Sequence, residues 1–451
     1  MSILSNLFLT TLVAYVVYLR HFHPLSQSSG PLFASLSNNY KAYYVYKLTI
    51  HERLLWLHNT HGPIVRVGPN HLHTWEGDAI ALLYRGARSM GKSEFYDAFT
   101  AFRPNLFGGR DEDVYSRRQL SHGFAQESVQ KLEPLIEGQL AILISKLQHY
   151  AKIGQALDLK HTLNLYVLDI LGDVAIAKPF DVQHTEDDGK LHAINGHLLL
   201  AGVIGELPCQ SFTKLSRISP VPWMRRLMKS RNKLKGICAG CVQFKIQNLK
   251  TAKSRPDSLR SLVEATDPET GKRLVAGSHS TAGTLTLLLW HLVQNPSIMR
   301  KVQAGIESTF GPLNKGQVSY PVSGLESSLK YTMASVSENF RLDLVFTRIA
   351  GHHIPHGVHK HLHSNYVLRH NPSIFESDHS SFVPEEWLDE SYNKEKGRYL
   401  IPFSVGRRMC IGRNLAMTNI LKSPLETKDD VRVVSPGIGE MEGVFEVRVR
   451  V

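Results

Sequence analysis

The 451-residue sequence has few cysteines, few charged side chains, and no internal repeat or low-complexity tract. Four cysteines are too few for a disulfide framework in a chain of this length. Cys238 and Cys241 form a CxxC pair, but no second ligand pair follows that would complete a zinc site, and the flanking lysines favour an amphipathic helix. We interpret Cys209 as structural. With 42% hydrophobic and 20% charged residues, the chain is not disordered and can bury a large core.

Signatures of nucleotide and nucleic-acid binding are also missing. The sequence has no flavin or dinucleotide fingerprint, no zinc finger and no aromatic RNA-binding motif. Its net charge is nevertheless +12, and a basic chain attracts anionic membranes or acidic proteins. We therefore expect a membrane surface and an acidic protein as partners, and no nucleic acid.

The N-terminal residues 3–19 form an apolar run that only four polar residues interrupt. Its length is near the lower limit for crossing a bilayer. Arg20 and two histidines follow the run, and no lysine or arginine precedes it. We predict a single-pass membrane anchor over residues 1–22, a Pro/Gly/Ser-containing hinge over residues 23–31, and one domain over residues 23–451.

The charge distribution around this run predicts its orientation. The positive-inside rule places the domain that follows in the cytosol. A cleaved signal peptide is one alternative, but it would have a basic start and a small-residue cleavage site, and neither is present. A buried core helix is the other alternative.

Hydrophobic periodicity predicts a mainly α-helical chain with a small β portion. Helical spacing dominates residues 113–250, and strand-like alternation recurs in shorter segments near turn residues. The clearest helices are predicted over 129–147, 276–292 and 325–344. Strand-like alternation is predicted over 61–75 and 431–451, and a β-hairpin over 351–368.

The segment 402–412, PFSVGRRMCIG, carries the strongest chemical signal. Cys410 stands directly before a predicted helix, where unpaired N–H groups and the positive end of the helix dipole favour a thiolate. Gly406 permits a tight bend, Gly412 leaves room for backbone donors near the sulfur, and Arg408 places a cation two residues away. Such a thiolate is either a nucleophile or a ligand for a soft metal.

This segment resembles the haem-binding loop of the cytochrome P450 family. Its FxxGxRxCxG pattern is matched at every fixed position, by Phe403, Gly406, Arg408, Cys410 and Gly412. The resemblance implies a P450 fold in which Cys410 is the axial thiolate ligand of haem b iron, Phe403 packs near the sulfur, and Arg408 contacts a haem propionate. A thiolate ligand favours O–O cleavage by the iron.

Two further segments resemble family motifs in the expected order. Glu338 and Arg341 form an ExxR pair on one helix face, about seventy residues before the cysteine loop. Residues 382–387, FVPEEW, resemble the FxPERW segment, whose arginine joins that pair in the family. Glu386 occupies the position of this arginine, so we expect it to repel Glu338.

Residues 276–281, AGSHST, resemble the AGxDTT segment of the family's long distal helix. In the family, an acid and a hydroxyl of this segment help deliver protons to dioxygen. His279 takes the place of the acid, Ser280 that of the first threonine, and Thr281 supplies a second hydroxyl. A histidine can relay protons near neutral pH and a serine keeps the hydroxyl, so the resemblance assigns these three residues to catalysis.

Residues 115–124, YSRRQLSHGF, resemble the family's propionate-binding helix. Arg117 is the first candidate for this contact and Arg118 the second, although Asp113 replaces the aromatic residue usual one turn earlier. Three segments are shorter than the family pattern. They are the turn-like residues 267–273 before the distal helix, residues 342–350 after the ExxR pair, and residues 424–431 after the cysteine helix. We interpret them as signs of a decayed gene or of misplaced exon boundaries.

The resemblance implies a membrane-bound enzyme of the endoplasmic reticulum that inserts one oxygen atom of O₂ into a lipophilic organic substrate. Electrons would come from NADPH through a separate reductase. The sequence looks most like filamentous-fungal members of secondary metabolism. One alternative is a haem-binding relic with little or no turnover. The other is a membrane-tethered metal-binding protein, because six histidines lie within residues 352–363 and His359, His361 and His363 would share one face of a strand.

Overall fold

The computed structural model describes most of the chain, in fourteen ranges. These are residues 3–84, 92–99, 123–176, 178–207, 221–248, 278–313, 317–343, 351–353, 360–363, 365–375, 381–406, 409–422, 432–433 and 446–448. The predicted propionate contacts Arg117, Arg118 and Arg408 lie outside these ranges, as do Cys209 and His359. Most of the three segments predicted to be short also lies outside them.

The described residues are mostly helical, in agreement with the predicted mainly α class. The first six helices are α1 (Ile3–Val17), α2 (Leu32–Leu36), α3 (Asn39–Tyr46), α4 (Ile50–His61), α5 (Ala79–Tyr84) and α6 (Gln126–Lys131). The next six are α7 (Glu133–Ile153), α8 (Leu159–Ile176), α9 (Val182–Thr185), α10 (Gly189–Glu206), α11 (Pro222–Asn248) and α12 (Ser278–Gln294). The others are α13 (Pro296–Phe310), α14 (Leu325–Ser328), α15 (Lys330–Leu342), α16 (Asn365–Arg369), α17 (Glu390–Lys396) and α18 (Arg413–Leu421).

The described strands form two small sheets. Their bounds are β1 (Ile64–Gly68), β2 (His71–Thr74), β3 (Ala156–Asp158), β4 (Gly351–His353), β5 (Lys360–His363), β6 (Arg432–Val433) and β7 (Glu446–Arg448). One sheet has the order β1-β2-β5-β4, in which only the β2–β5 pair is parallel. The other is antiparallel, with the order β3-β7-β6. The strand-like alternation predicted over 61–75 is confirmed by β1 and β2. The hairpin predicted over 351–368 is confirmed by the antiparallel β4–β5 pair, but it ends earlier than predicted, because α16 begins at Asn365.

Helix α7 illustrates how the sequence specifies its own boundaries. A proline occupies the first turn, where its missing N–H needs no partner. Gly154 ends the helix in the left-handed conformation, with φ of +66°. Between these ends, Ile136, Leu140, Leu143 and Leu147 recur at three- and four-residue spacing, and all four are buried. The predicted helix over 129–147 is therefore observed, with a break at Leu132 between α6 and α7.

The largest apolar cluster is built around α12, which contacts α8, α15 and α18. Leu285, Leu288 and Leu292 belong to this cluster together with the buried side chains Leu163 and Tyr166 of α8. Because the distal helix, the ExxR helix and the cysteine helix share one core, their relative positions are fixed by packing.

The N-terminal segment is one apolar helix, Ile3–Phe22, made of α1 and a wider helical turn over Tyr18–Phe22. It is long and apolar enough to cross a membrane, and the residues of α1 are exposed or nearly so. A helix of the domain core would be buried, so the core-helix alternative does not fit. The segment predicted to be a hinge, residues 23–31, is packed against the domain, with His23 and Leu25 buried.

Candidate active site around the cysteine loop

The ExxR pair is a buried ion pair beneath the predicted cofactor site. Arg341 Nε donates to Glu338 Oε2 at 2.7 Å and Arg341 Nη2 to Glu338 Oε1 at 2.8 Å, a bidentate geometry that is favourable for both charges. The two side chains are 2% and 0% exposed. Burial alone would lower the pKa of Arg341, but the hydrogen bonds and charge of Glu338 raise it. The guanidinium therefore stays charged in the core.

The segment 381–387 completes the coordination of this pair. The backbone N–H of Val383 donates to Glu338 Oε1 at 2.8 Å, and Trp387 Nε1 donates to Glu338 Oε2 at 2.9 Å. Arg341 Nη2 also donates to the Ser381 carbonyl at 3.0 Å. Each carboxylate oxygen of Glu338 thus accepts from Arg341 and from one further donor. Val383, Trp387 and Ser381 fix the segment that precedes the cysteine loop.

The expected repulsion between Glu386 and Glu338 stays a prediction, but Glu386 has a partner that the sequence did not indicate. Glu386 accepts a hydrogen bond from the hydroxyl of Tyr392, and burial together with this bond raises the pKa of the tyrosine. The charge of Glu386 also favours the charged form of Arg341. Glu386 therefore has its own partner on α17, and a second arginine is not needed to satisfy Glu338.

Sequence reasoning missed Arg369, which lies on α16 and is almost fully buried. Its guanidinium donates to the carbonyls of Phe340 and Arg341, at 2.7 Å for Arg341. These carbonyls are orphaned at the C-terminus of α15, where a cation is favourable. Burial lowers the pKa of Arg369 to about 10, so the cap is charged at neutral pH. Its acceptors are backbone atoms, which have no sequence signature.

The cysteine loop folds back on itself through the backbone of Cys410. Its N–H donates to the Phe403 carbonyl at 2.7 Å, and the backbone between them bends at Ser404 and Gly406, with φ of +58° and +67°. The Cys410 side chain is exposed, and α18 begins three residues later at Arg413. The predicted placement of a thiol at a helix N-terminus is therefore observed.

Phe403 contacts the ExxR helix, whereas no contact of Gly412 with the sulfur requires a glycine. The Phe403 ring packs edge-on against Phe340 of α15, with centroids 5.6 Å apart, so the loop is attached to the ExxR helix. Gly412 has φ of −82°, and a Cβ on it would lie 3.8 Å from Cys410 Sγ. This is an ordinary contact, so closeness to the sulfur does not by itself require glycine at 412.

The helix that follows the thiol is tied down at both ends. Arg413 Nη2 pairs with Glu326 Oε2 at 2.8 Å, and Asn414 Nδ2 donates to the Phe124 carbonyl at 3.0 Å. At the other end the buried ammonium of Lys422 lies 2.6 Å from Glu133 Oε1 and 2.9 Å from Glu137 Oε1. These contacts limit rotation and translation of α18, and therefore of Cys410.

The predicted distal residues lie in the first turn of α12. Thr281 is buried and Ser280 is half-buried, while only the backbone of His279 is described. Helix α12 is fastened to the ExxR helix, because Asn339 Nδ2 donates to the Thr284 carbonyl at 3.3 Å and His291 Nε2 lies 2.7 Å from Asp343 Oδ2. The arrangement brings α12 and α18 into one core.

The donor set of the described residues fits a cofactor that takes one thiolate from the protein. Cys410 is exposed and forms no disulfide. Within the described ranges, no three His, Cys, Asp or Glu residues are grouped to hold a metal ion. His361 and His363 lie on β5, with the backbone of His352 opposite His361. Their side chains lie outside the described residues, so the predicted histidine cluster stays a prediction.

Gly406→Ala should destabilise the cysteine loop. A Cβ at this position would overlap the Tyr84 carbonyl oxygen, and φ of +67° is strained for alanine. We expect a loss of about 1–3 kcal/mol in the free energy of unfolding, measured by denaturant titration in detergent. Gly138→Ala is the matched control, because Gly138 lies within α7 with nothing within 4 Å of its Cβ position. Equal changes in the free energy of unfolding for the two variants would contradict the requirement for glycine at position 406.

Comparison with known proteins gives one consistent family. The family model described as Cytochrome P450 matches residues 29–422. The chain is similar to a pisatin demethylase of Fusarium vanettenii, at 26% identity over 94% of this chain and 87% of the relative. It is also similar to the cytochrome P450 monooxygenase astJ of Aspergillus oryzae, at 27% identity over 89% of this chain and 85% of the relative.

Solved structures agree with this result. The crystal structure of a cytochrome P450, CYP102L1, superimposes with a TM-score of 0.68 at 16% identity, and the match covers 89% of this chain and 94% of that structure. The heme domain of cytochrome P450DA also gives a TM-score of 0.68, over 91% of this chain. At these identities the likeness shows the fold.

Proposed function

Because this chain belongs to the cytochrome P450 family of monooxygenases, we propose that it inserts one oxygen atom of O₂ into a lipophilic organic substrate of fungal secondary metabolism. One observation carries the proposal. The only cysteine in the family's loop pattern, Cys410, is exposed, forms no disulfide and lies three residues before α18, and its backbone N–H donates to the Phe403 carbonyl. The buried Glu338–Arg341 pair supports the adjoining helix.

The roles proposed for the residues that would hold the haem follow from their positions in the site. Haem b, when bound, supplies the iron centre that activates dioxygen. Cys410 would hold the haem iron through its sulfur, with Phe403 beside the loop and Gly412 at the start of the cysteine helix. Arg408 and Arg117 are proposed to neutralise the propionates, since guanidinium groups bind carboxylates well.

The distal helix is proposed to handle protons. His279, Ser280 and Thr281 occupy the first turn of α12, and this helix shares a core with the cysteine helix. Histidine and hydroxyl groups can donate and accept protons near neutral pH. We propose that these side chains pass protons towards the reacting oxygen, while the apolar residues of α12 exclude bulk water.

The partners and location are proposed from the same basis. Electrons come from NADPH through a separate reductase. This chain has a net charge of +12, so an acidic surface on the reductase would favour binding. The apolar helix Ile3–Phe22 is proposed to anchor the protein in the endoplasmic reticulum membrane, with the domain in the cytosol. The proposed boundary between the anchor and the domain lies after residue 22.

A reconstituted assay separates this proposal from a haem-binding relic. Full-length protein, a P450 reductase and NADPH in phospholipid vesicles should give product in proportion to NADPH consumed, across a panel of lipophilic aromatic and terpenoid compounds. A protein that shows the thiolate-type spectrum but oxidises none of them, with NADPH consumption at the background rate, would be the relic. A protein that takes up no haem would contradict both.

Replacing His279 and Ser280 together by alanine should uncouple the enzyme. Without these proton donors, we expect more hydrogen peroxide and less product for each NADPH consumed, while haem content stays unchanged. Thr286→Val is the matched control on the same helix, because the Thr286 hydroxyl donates to the Ala282 carbonyl at 2.8 Å and so serves the helix itself. Unchanged coupling in the double variant would remove this pair from the mechanism and leave Thr281 as the candidate.

A further inference from the structure

The end of the N-terminal apolar helix is bound to the folded domain by a buried arginine. Arg66 lies on β1 and is 2% exposed. Its Nη1 donates to the carbonyls of Leu19 and Leu25, at 2.9 and 3.3 Å, and its Nη2 donates to the Pro69 carbonyl at 2.8 Å. Leu19 belongs to the last turn of the helix, whose carbonyls lack partners within the helix. A cation is favourable at this end.

A second set of bonds surrounds this contact. The backbone N–H of Leu25 donates to His23 Nδ1 at 3.0 Å, so His23 Nε2 carries a proton and donates to Asn70 Oδ1 at 2.9 Å. The Arg66 N–H donates to the Ser29 carbonyl at 2.7 Å. Residues 19–29 are therefore held by the β1–β2 hairpin through side-chain and backbone bonds.

We propose that Arg66 makes the membrane helix and the catalytic domain one rigid body, which holds the domain at a fixed angle to the lipid surface. This rests on the proposed role of Ile3–Phe22 as a membrane span. With a free hinge the domain would change its orientation at the membrane. Two bonds from one buried guanidinium, to the Leu19 and Leu25 carbonyls, oppose any change of angle at residues 19–25, and the third bond, to the Pro69 carbonyl, holds the guanidinium in place.

The surface beside this joint fits a lipid interface. Phe22 and Phe33 are each 73% exposed, and Leu32 is also exposed. Helix α2, which carries Leu32 and Phe33, packs against the helical turn Tyr18–Phe22 and against β1. The apolar surface is therefore continuous with the apolar helix. Exposed Phe and Leu side chains are buried favourably at the boundary between lipid headgroups and acyl chains, so a fixed angle would keep these two phenylalanines there.

Hydrogen exchange of the full chain in phosphatidylcholine nanodiscs tests the joint without any need for haem or substrate. In the wild type, amides of residues 18–28 should exchange slowly, because several of their N–H groups are bonded within the joint. Arg66→Met keeps an unbranched apolar stem but has no donors. It should accelerate exchange in residues 18–28 by about tenfold or more, the effect of losing about 1.4 kcal/mol of local stability.

Arg53→Met is the matched control. Arg53 lies on α4, where its Nε donates to the Tyr40 hydroxyl at 2.6 Å and its guanidinium covers Trp56, and it should leave residues 18–28 protected. Asn70→Ala removes only the acceptor of His23 and should give a smaller acceleration, which keeps the test valid if Arg66→Met misfolds. Exchange of residues 18–28 at the rate of an unstructured peptide in the wild type would overturn the proposal, as would slow exchange in Arg66→Met. Fast exchange of residues 3–17 would instead contradict the membrane span.

Discussion

Cys410→Ser is expected to abolish the thiolate-type absorption of the reduced, carbon monoxide-bound protein. A serine hydroxyl is neutral and binds iron poorly, whereas the thiolate donates electron density to it. The loss should be complete, and oxygenation of any substrate should stop with it. Because Cys410 is exposed and α18 is held by contacts other than its sulfur, the fold should persist. Difference spectroscopy and circular dichroism of the same samples measure the two effects separately.

The other described thiols provide the controls for this experiment. Burial raises the pKa of Cys238 to about 11, and it also raises the pKa of Cys241, so both are protonated at neutral pH. They lie on α11. Cys238→Ser and Cys241→Ser should therefore retain the thiolate-type spectrum. Retention of that spectrum in Cys410→Ser would show that another residue binds the iron.

Local spacing was sufficient to predict the position of Cys410 and the pairing of Glu338 with Arg341, but not the contacts that support them. The FxxGxRxCxG pattern and the ExxR spacing each lie within one short segment, and both the thiol position and the bidentate pair are observed. Arg369 and Lys422 could not be predicted. Arg369 binds backbone carbonyls, which every residue has. The two carboxylates that pair with Lys422 lie on α7, more than two hundred residues earlier in the sequence.

Two predictions took no account of partners that the structure supplies. Repulsion was predicted for Glu386 because the family has an arginine at this position. Tyr392, only six residues later, supplies a hydroxyl that donates to Glu386. A hinge was predicted over residues 23–31 because their composition is typical of hinges. The buried Arg66 nevertheless binds this part of the chain through the Leu19 and Leu25 carbonyls, on either side of His23. In both cases a polar group found a partner that side-chain identity alone does not reveal.

The prediction of α12 was correct about burial but could not identify the helices that α12 contacts. Its apolar run predicted a buried helix, and Leu285, Leu288 and Leu292 are buried as expected. Periodicity says which residues face a core, but not which helix they will meet. The bonds that decide this are Asn339 to the Thr284 carbonyl and His291 to Asp343, and neither pair has a pattern in sequence.

Breaking the Glu338–Arg341 pair should produce the largest loss of stability of any substitution considered. Removing one partner of a buried ion pair leaves an uncompensated charge, at a cost of about 3–5 kcal/mol. The two directions should differ. In Arg341→Met, Glu338 keeps the N–H donors of Val383 and Trp387. In Glu338→Leu, a guanidinium that stays charged keeps, among the described residues, one hydrogen bond to the Ser381 carbonyl and the attraction of the Glu386 charge. We expect Glu338→Leu to lose more stability.

A double-mutant cycle decides whether the pair itself is responsible. The combined variant, Glu338→Leu with Arg341→Met, leaves no buried charge, so its loss should be smaller than the sum of the two single losses by about 1 kcal/mol or more. Arg413→Met is the matched control, since its pair with Glu326 is partly exposed on both sides and should be worth about 0–1 kcal/mol. Denaturant titration in detergent gives all four values. Additive losses would mean that the two residues act independently, and that the pair does not hold the cysteine loop as a unit.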